Sequence, residues 1–141
     1  MQQKGIELEI KVPNETRYLS LIGRIGEDIA REIDKFSGDR ETLAYQLNLV
    51  LTEAMTNAIK YGKPDDRDES VHISINIQEN SLFIRIRDCG QGFDINGIPP
   101  PDFEKLDDCG RGIFLIKSLM DSVTYEKKKR GNILEMIKRL C

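Results

Sequence analysis

Glu53 and Asn57 stand four positions apart in the run Leu51-Thr52-Glu53-Ala54-Met55-Thr56-Asn57-Ala58-Ile59-Lys60-Tyr61-Gly62. If that run is helical, both side chains project from one face. A carboxylate so placed can accept a proton or steer a nucleophile, and a carboxamide oxygen one turn on is the hard donor that Mg²⁺ prefers. The same pair also reads as two solvated polar side chains on an exposed helix edge.

Asp88 is in phase with Leu82, Ile84 and Ile86, so a strand that reaches it turns its carboxylate to the apolar side of a sheet. A carboxylate there needs a partner. Arg85 and Arg87 fall on the opposite face, whereas an amino-bearing heterocycle such as adenine would supply a donor. The alternative is an Asp that starts the turn Cys89-Gly90-Gln91-Gly92. Gly90 and Gly92, then Gly110 and Gly112, make two Gly-x-Gly elements where backbone can approach a ligand closely. Neither is a dinucleotide fingerprint, because Ile95 and Leu115 occupy the third glycine position, and the chain has no P-loop. The second element opens a helix, whose first N–H groups attract phosphate. Arg111, between its glycines, is placed either to bind phosphate or to remain solvated.

The elements that must hold these residues follow from periodicity. Ile6, Leu8, Ile10 and Val12 alternate with polar residues as a strand with one buried face, ended by Pro13-Asn14. Asn14 is positioned to cap a helix whose apolar stripe is Tyr18, Ile22, Ile25, Ile29, Ile33 and Phe36, broken at Ser37-Gly38-Asp39. The second helix has the core stripe Leu43, Leu47, Val50, Ala54 and Ala58, with Glu53, Asn57 and Lys60 along its edge, and stops at Tyr61-Gly62-Lys63-Pro64. Strands follow at Val71 to Ile77 and Leu82 to Ile86, joined at Glu79-Asn80. An irregular segment with Pro99-Pro100-Pro101 runs from Gly90 to Gly110, of a length that marks functional loops. A third helix at Gly112 to Met120 and a hairpin, Val123 to Tyr125 with Ile133 to Ile137, complete the chain. The order β, α, α, β, β, loop, α, β, β specifies an α+β sandwich, a mostly antiparallel sheet with helices on one face.

Length and composition narrow the function classes. The 141 residues suit one domain, residues 1–141, with a core that needs no disulfide. A net charge of −3 gives no bulk attraction to nucleic acid or anionic lipid, and the cations Lys127 to Arg130 read as a solvated hairpin tip. No apolar run nears the roughly 20 residues of a membrane span, so a cytoplasmic protein is expected. Cys89, Cys109 and Cys141 lack zinc-site spacing and read as reduced thiols, the first two with a possible redox role. His72 is the sole histidine and falls on a strand's polar face, which excludes a second-histidine triad and argues against a phosphoacceptor histidine.

In order, Glu53-x-x-x-Asn57, Asp88-x-Gly90-x-Gly92-Phe93 and Gly110-Arg111-Gly112-Ile113-x-Leu115-Ile116 resemble the N, G1 and G2 boxes of the GHKL ATPase superfamily. The run Gly112 to Asp121 and the leading strand and helix look like its anti-sigma regulatory branch, the serine-protein kinases of the RsbW and SpoIIAB type. The resemblance implies a two-layer Bergerat sandwich that binds ATP and Mg²⁺ under a lid formed by the long loop. By it, Asn57 would hold Mg²⁺, Glu53 would be the general base, and Asp88 would meet the adenine amino group. Gly92 would shape the adenine pocket, and Gly90 would be a further cofactor-binding residue. Gly110, Arg111, Gly112 and Ile113 would place backbone donors around the phosphates, with Lys60 an added phosphate contact. Implied partners are a STAS-domain anti-sigma antagonist, phosphorylated on Ser or Thr, and a sigma factor sequestered by a homodimer. Tyr61 departs from the family's frequent histidine, Asn132 from its threonine, and Asp107-Asp108-Cys109 from the arginine of kinase members. Two other readings stay open: a non-catalytic nucleotide-dependent binding switch, and the detached catalytic domain of a sensor histidine kinase.

Overall fold

The computed structural model describes residues 5–60, 70–88, 111–128 and 131–141. Its elements are β1 (Glu7–Pro13), α1 (Leu19–Glu32), α2 (Arg40–Lys60), β2 (Ser70–Gln78), β3 (Ser81–Asp88), α3 (Arg111–Leu119), β4 (Ser122–Lys128) and β5 (Gly131–Arg139). The strands form a five-stranded sheet in the order β1-β2-β3-β5-β4, and every pairing among the described residues is antiparallel. The α+β layering expected from the element order is therefore present.

Alternation along the strands sorts the two faces. Val71, Ile73, Ile75 and Ile77 of β2, Leu82, Ile84 and Ile86 of β3, and Leu134 and Met136 of β5 are buried against the helices. The intervening His72, Arg85 and Arg87 are exposed on the other face, where Arg85 pairs with Glu135 across the ladder. Glu79 and Asn80 join β2 to β3 with φ of 49° and 66°, the left-handed pair that a two-residue hairpin favours.

Helix α2 is the spine of the helical layer. Its stripe Leu43, Leu47, Val50, Ala54 and Ala58 is buried as the spacing predicts, joined by Ala44, Leu51 and Met55. Asp39 starts it: its carboxylate accepts from the Thr42 backbone N–H at 3.0 Å and from the Thr42 hydroxyl at 2.7 Å. α1 packs beside α2 through Ile22 and Ile29, and the Asn48 amide donates to Glu27 at 2.8 Å across the seam.

Three expectations need correction. Asn14 caps no helix, because a 3₁₀ turn at Thr16–Tyr18 intervenes and Tyr18 occupies the N-cap of α1. The α1 stripe outlasts its helix: Ile33 is buried although the helix stops at Glu32, where Arg40 donates to the Ala30 carbonyl at 3.0 Å and to that of Asp34 at 3.1 Å. The apolar face of β1 is only partly covered, with Val12 buried and Leu8 37% exposed, because an edge strand has a neighbour on one side only. No helix among the described residues is long and apolar enough to cross a membrane.

Candidate functional site

Glu53 and Asn57 sit one turn apart on α2 and are half-buried, under the helix that crosses them. That helix is α3, whose far end is held down by the Lys138 ammonium, donating to the Leu119 carbonyl at 2.8 Å. Its near end brings Gly112 onto the polar edge of α2. A Cβ built on Gly112 would lie 2.7 Å from Glu53 Oε2 and 3.5 Å from Asn57 Nδ2. Carboxylate, carboxamide and the first turn of α3 thus converge on one point.

The polar residues one and two turns back on α2 are engaged: Asn48 with Glu27, Thr52 with the Asn48 side-chain oxygen at 3.3 Å, and Thr56 with the Thr52 carbonyl at 2.7 Å. Asn57 differs. Its Nδ2 is buried and has no hydrogen-bond partner. A buried amide with unused capacity costs free energy unless a ligand completes it. Because oxygen and nitrogen of a carboxamide are interchangeable by rotation, the group offers either a donor to phosphate or a hard oxygen to a cation. That donor set, beside a carboxylate and the N–H groups opening a helix, fits Mg²⁺ and a nucleotide phosphate.

Asp88 closes β3 and is 5% exposed, so its carboxylate does face inward. It faces Asn132 across the β3–β5 ladder, and the Asn132 Nδ2 donates to Asp88 Oδ1 at 3.0 Å. Asn132 is itself 2% exposed. No lysine or arginine is expected in phase with Asp88, and the donor that the protein itself supplies is an amide. Gly131 makes the pairing possible, since it has φ of 137° and a Cβ there would stand 2.6 Å from the Asp88 carbonyl oxygen. Asn132 was visible in sequence only as a replaced threonine; its bond to Asp88 depends on a strand register spanning 44 residues.

The remaining residues fall as follows. Lys60 ends α2 and is exposed. Ile113 has its side chain in the core, 4% exposed, which leaves only its backbone for a ligand. Arg111 begins α3, and its side chain lies outside the description, as do Gly90, Gly92, Gly110, Cys89, Cys109, Tyr61 and the expected lid. Depressions lined by Glu9, His72, Ser74, Arg85 and Arg87 lie on the opposite face of the sheet, away from Glu53 and Asn57, and share no residue with the site.

Residues 12–138 match the family model of the histidine kinase-like ATPase domain. The serine-protein kinase RsbW of Oceanobacillus iheyensis is 30% identical over 82% of this chain and 76% of its own. The serine-protein kinase RsbW of Staphylococcus aureus is 31% identical over 98% of this chain and 89% of its own, and the anti-sigma F factor of Anoxybacillus flavithermus 33% identical over 67% and 68%. Among solved structures, the RsbU and RsbW domains of a Mycobacterium tuberculosis protein share the fold with a TM-score of 0.65 at 14% identity, covering 96% of this chain and 32% of that one. The histidine kinase domain of a blue-light activated kinase from Erythrobacter litoralis does so with a TM-score of 0.58 at 16% identity, over 92% of this chain and 62% of that one. The order of boxes in the sequence, the sandwich that carries them and these matches agree: the chain belongs to the histidine kinase-like ATPase domain family, on the branch of the RsbW serine-protein kinases and anti-sigma F factors.

Proposed function

We propose that residues 1–141 act as one cytoplasmic ATPase domain, an ATP-dependent protein serine/threonine kinase that is also an anti-sigma factor. Its substrate is a STAS-domain antagonist, and as a homodimer it sequesters a sigma factor until that antagonist displaces it. The observation that carries the reading is the meeting of Glu53, Asn57 and the start of α3 at Gly112.

Bound ATP would bring the phosphoryl group and Mg²⁺ the charge neutralisation that its transfer requires. The chain's own groups do the rest. Asn57 would hold the cation, since its carboxamide keeps a buried nitrogen with no hydrogen-bond partner. Glu53, one turn away, takes the proton of the substrate hydroxyl as general base. Asp88, which accepts from Asn132, would also accept from the exocyclic amino group of adenine, and the first N–H groups of α3, at Arg111, Gly112 and Ile113, would bind the phosphates. Gly92 would shape the adenine pocket, Gly90 and Gly110 would belong to the nucleotide-binding set, and Lys60 would add a cation at the end of α2.

The purified protein, incubated with γ-labelled ATP, Mg²⁺ and the STAS-domain protein encoded beside it, should label that partner on Ser or Thr. Glu53→Ala should cut transfer by about 10²- to 10⁴-fold, the usual worth of a general base, while ATP still binds. Tight ATP binding with no transfer would sink the kinase reading and leave the nucleotide-dependent binding switch. Loss of binding together with transfer in Glu53→Ala would remove Glu53 from the role of base.

A further inference from the structure

We infer that Gly112 is a positioning residue for Glu53: the absent side chain is space reserved for the Glu53 carboxylate, and through it Gly112 sets the alignment of the base. The inference rests on the reading of Glu53 as that base.

Two ordinary reasons for a glycine do not apply at this position. Among the described glycines only Gly131 has positive φ, so the backbone at Gly112 is open to any L-residue. Within the first turn of a helix, alanine is the better helix former, so glycine is a local cost. What remains is space. A Cβ at Gly112 would stand 2.7 Å from Glu53 Oε2 and 3.6 Å from Glu53 Cδ, and the first of these is closer than real Cβ contacts come.

The atom in the way is the far end of a flexible side chain, not backbone. Relief therefore comes from rotating Glu53, with α2 and α3 left in place. The fold tolerates the change and the carboxylate moves. A displacement of the order of 1 Å at a reacting group is worth about 100-fold in rate.

The test is a cycle of Gly112→Ala and Glu53→Ala. With Glu53 present, Gly112→Ala should lower kcat about 100-fold with a much smaller change in the KM for ATP. In the Glu53→Ala background, the same substitution should cost far less than about 100-fold, because the carboxylate it displaces is gone. The melting temperature gives a second reading that needs no activity. Gly112→Ala should raise it less with Glu53 in place than once the carboxylate is gone, because only then is the gain in helix propensity unopposed.

Equal loss of ATP affinity from Gly112→Ala in both backgrounds would overturn the inference, since the space would then serve the nucleotide. An unchanged kcat, or melting shifts that simply add, would overturn it as well. A wild-type protein that labels no antagonist would instead defeat the kinase reading, and the melting cycle would still decide the role of Gly112.

Discussion

The Asp88 carboxylate ends an inward row that is otherwise isoleucine and leucine, at a position where an unsatisfied charge would be costly. Asn132 meets it with an amide donor at 3.0 Å from the facing position on β5. Replacing Asn132 by Leu keeps similar bulk and removes the donor, so Asp88 loses a charge-assisted bond in a dry place. The expected cost is about 1–3 kcal/mol of folding stability, read as a lower urea midpoint at unchanged slope. Weaker nucleotide binding should accompany it, because Asp88 loses one of the bonds that orient it. An unshifted midpoint would show that the Asn132 amide contributes nothing to keeping Asp88 inside. Asn57 presents the opposite case on α2: there a buried amide nitrogen has no hydrogen-bond partner, as the proposed ligand role requires.

Helix α2 carries the site's polar edge, so its start is the element-scale control on where Glu53 and Asn57 sit. Asp39 fixes that start, and its carboxyl is held below the ordinary 3.8, first by the Thr42 hydroxyl and then by the Thr42 backbone N–H. A carboxyl whose folded-state pKa is depressed stabilises the fold above its unfolded value and loses that contribution as pH falls through the folded one. The melting temperature of Asp39→Ala should therefore lie below that of the wild type at neutral pH, with the gap closing as pH drops beneath 3.8. A gap that stays constant to pH 2 would mean the cap acts without its charge. This helix was legible in sequence because its stripe and its polar edge lie within one stretch of chain, although Asp39 read there only as part of the break before it. β2 and β3 were legible for the same reason, by strict alternation. The rest was set by partners distant in sequence: Arg40 on the last turn of α1, a missing neighbour beside β1, and the β3–β5 register that joins Asp88 to Asn132. Local periodicity contains none of these.

Over the whole molecule, the proposed nucleotide site draws on three parts of the chain: the edge of α2 and the first turn of α3, which meet at Gly112, and the β3–β5 end that holds Asp88. The shared core holds them to one another, since Ala54 and Ala58 of α2, Ile113 and Ile116 of α3, and Ile86 of β3 belong to one buried cluster. A ligand that touches all three binds the folded state alone and must stabilise it by mass action. At about 100 times its dissociation constant, the gain is about 2.7 kcal/mol, or a rise in melting temperature of roughly 5–10 °C for a chain of this size. ATP with Mg²⁺ should give that rise, and chelating the cation should shrink it. Asn57→Ala should abolish the part that depends on Mg²⁺ and keep the remainder, because the base and its Asp88 contact lie on another element. GTP should give less, since guanine presents a carbonyl where adenine presents its amino donor to the Asp88 carboxylate. Equal protection by GTP would remove Asp88 from base recognition, and a Mg²⁺-dependent rise that survives Asn57→Ala would place the cation on other oxygens.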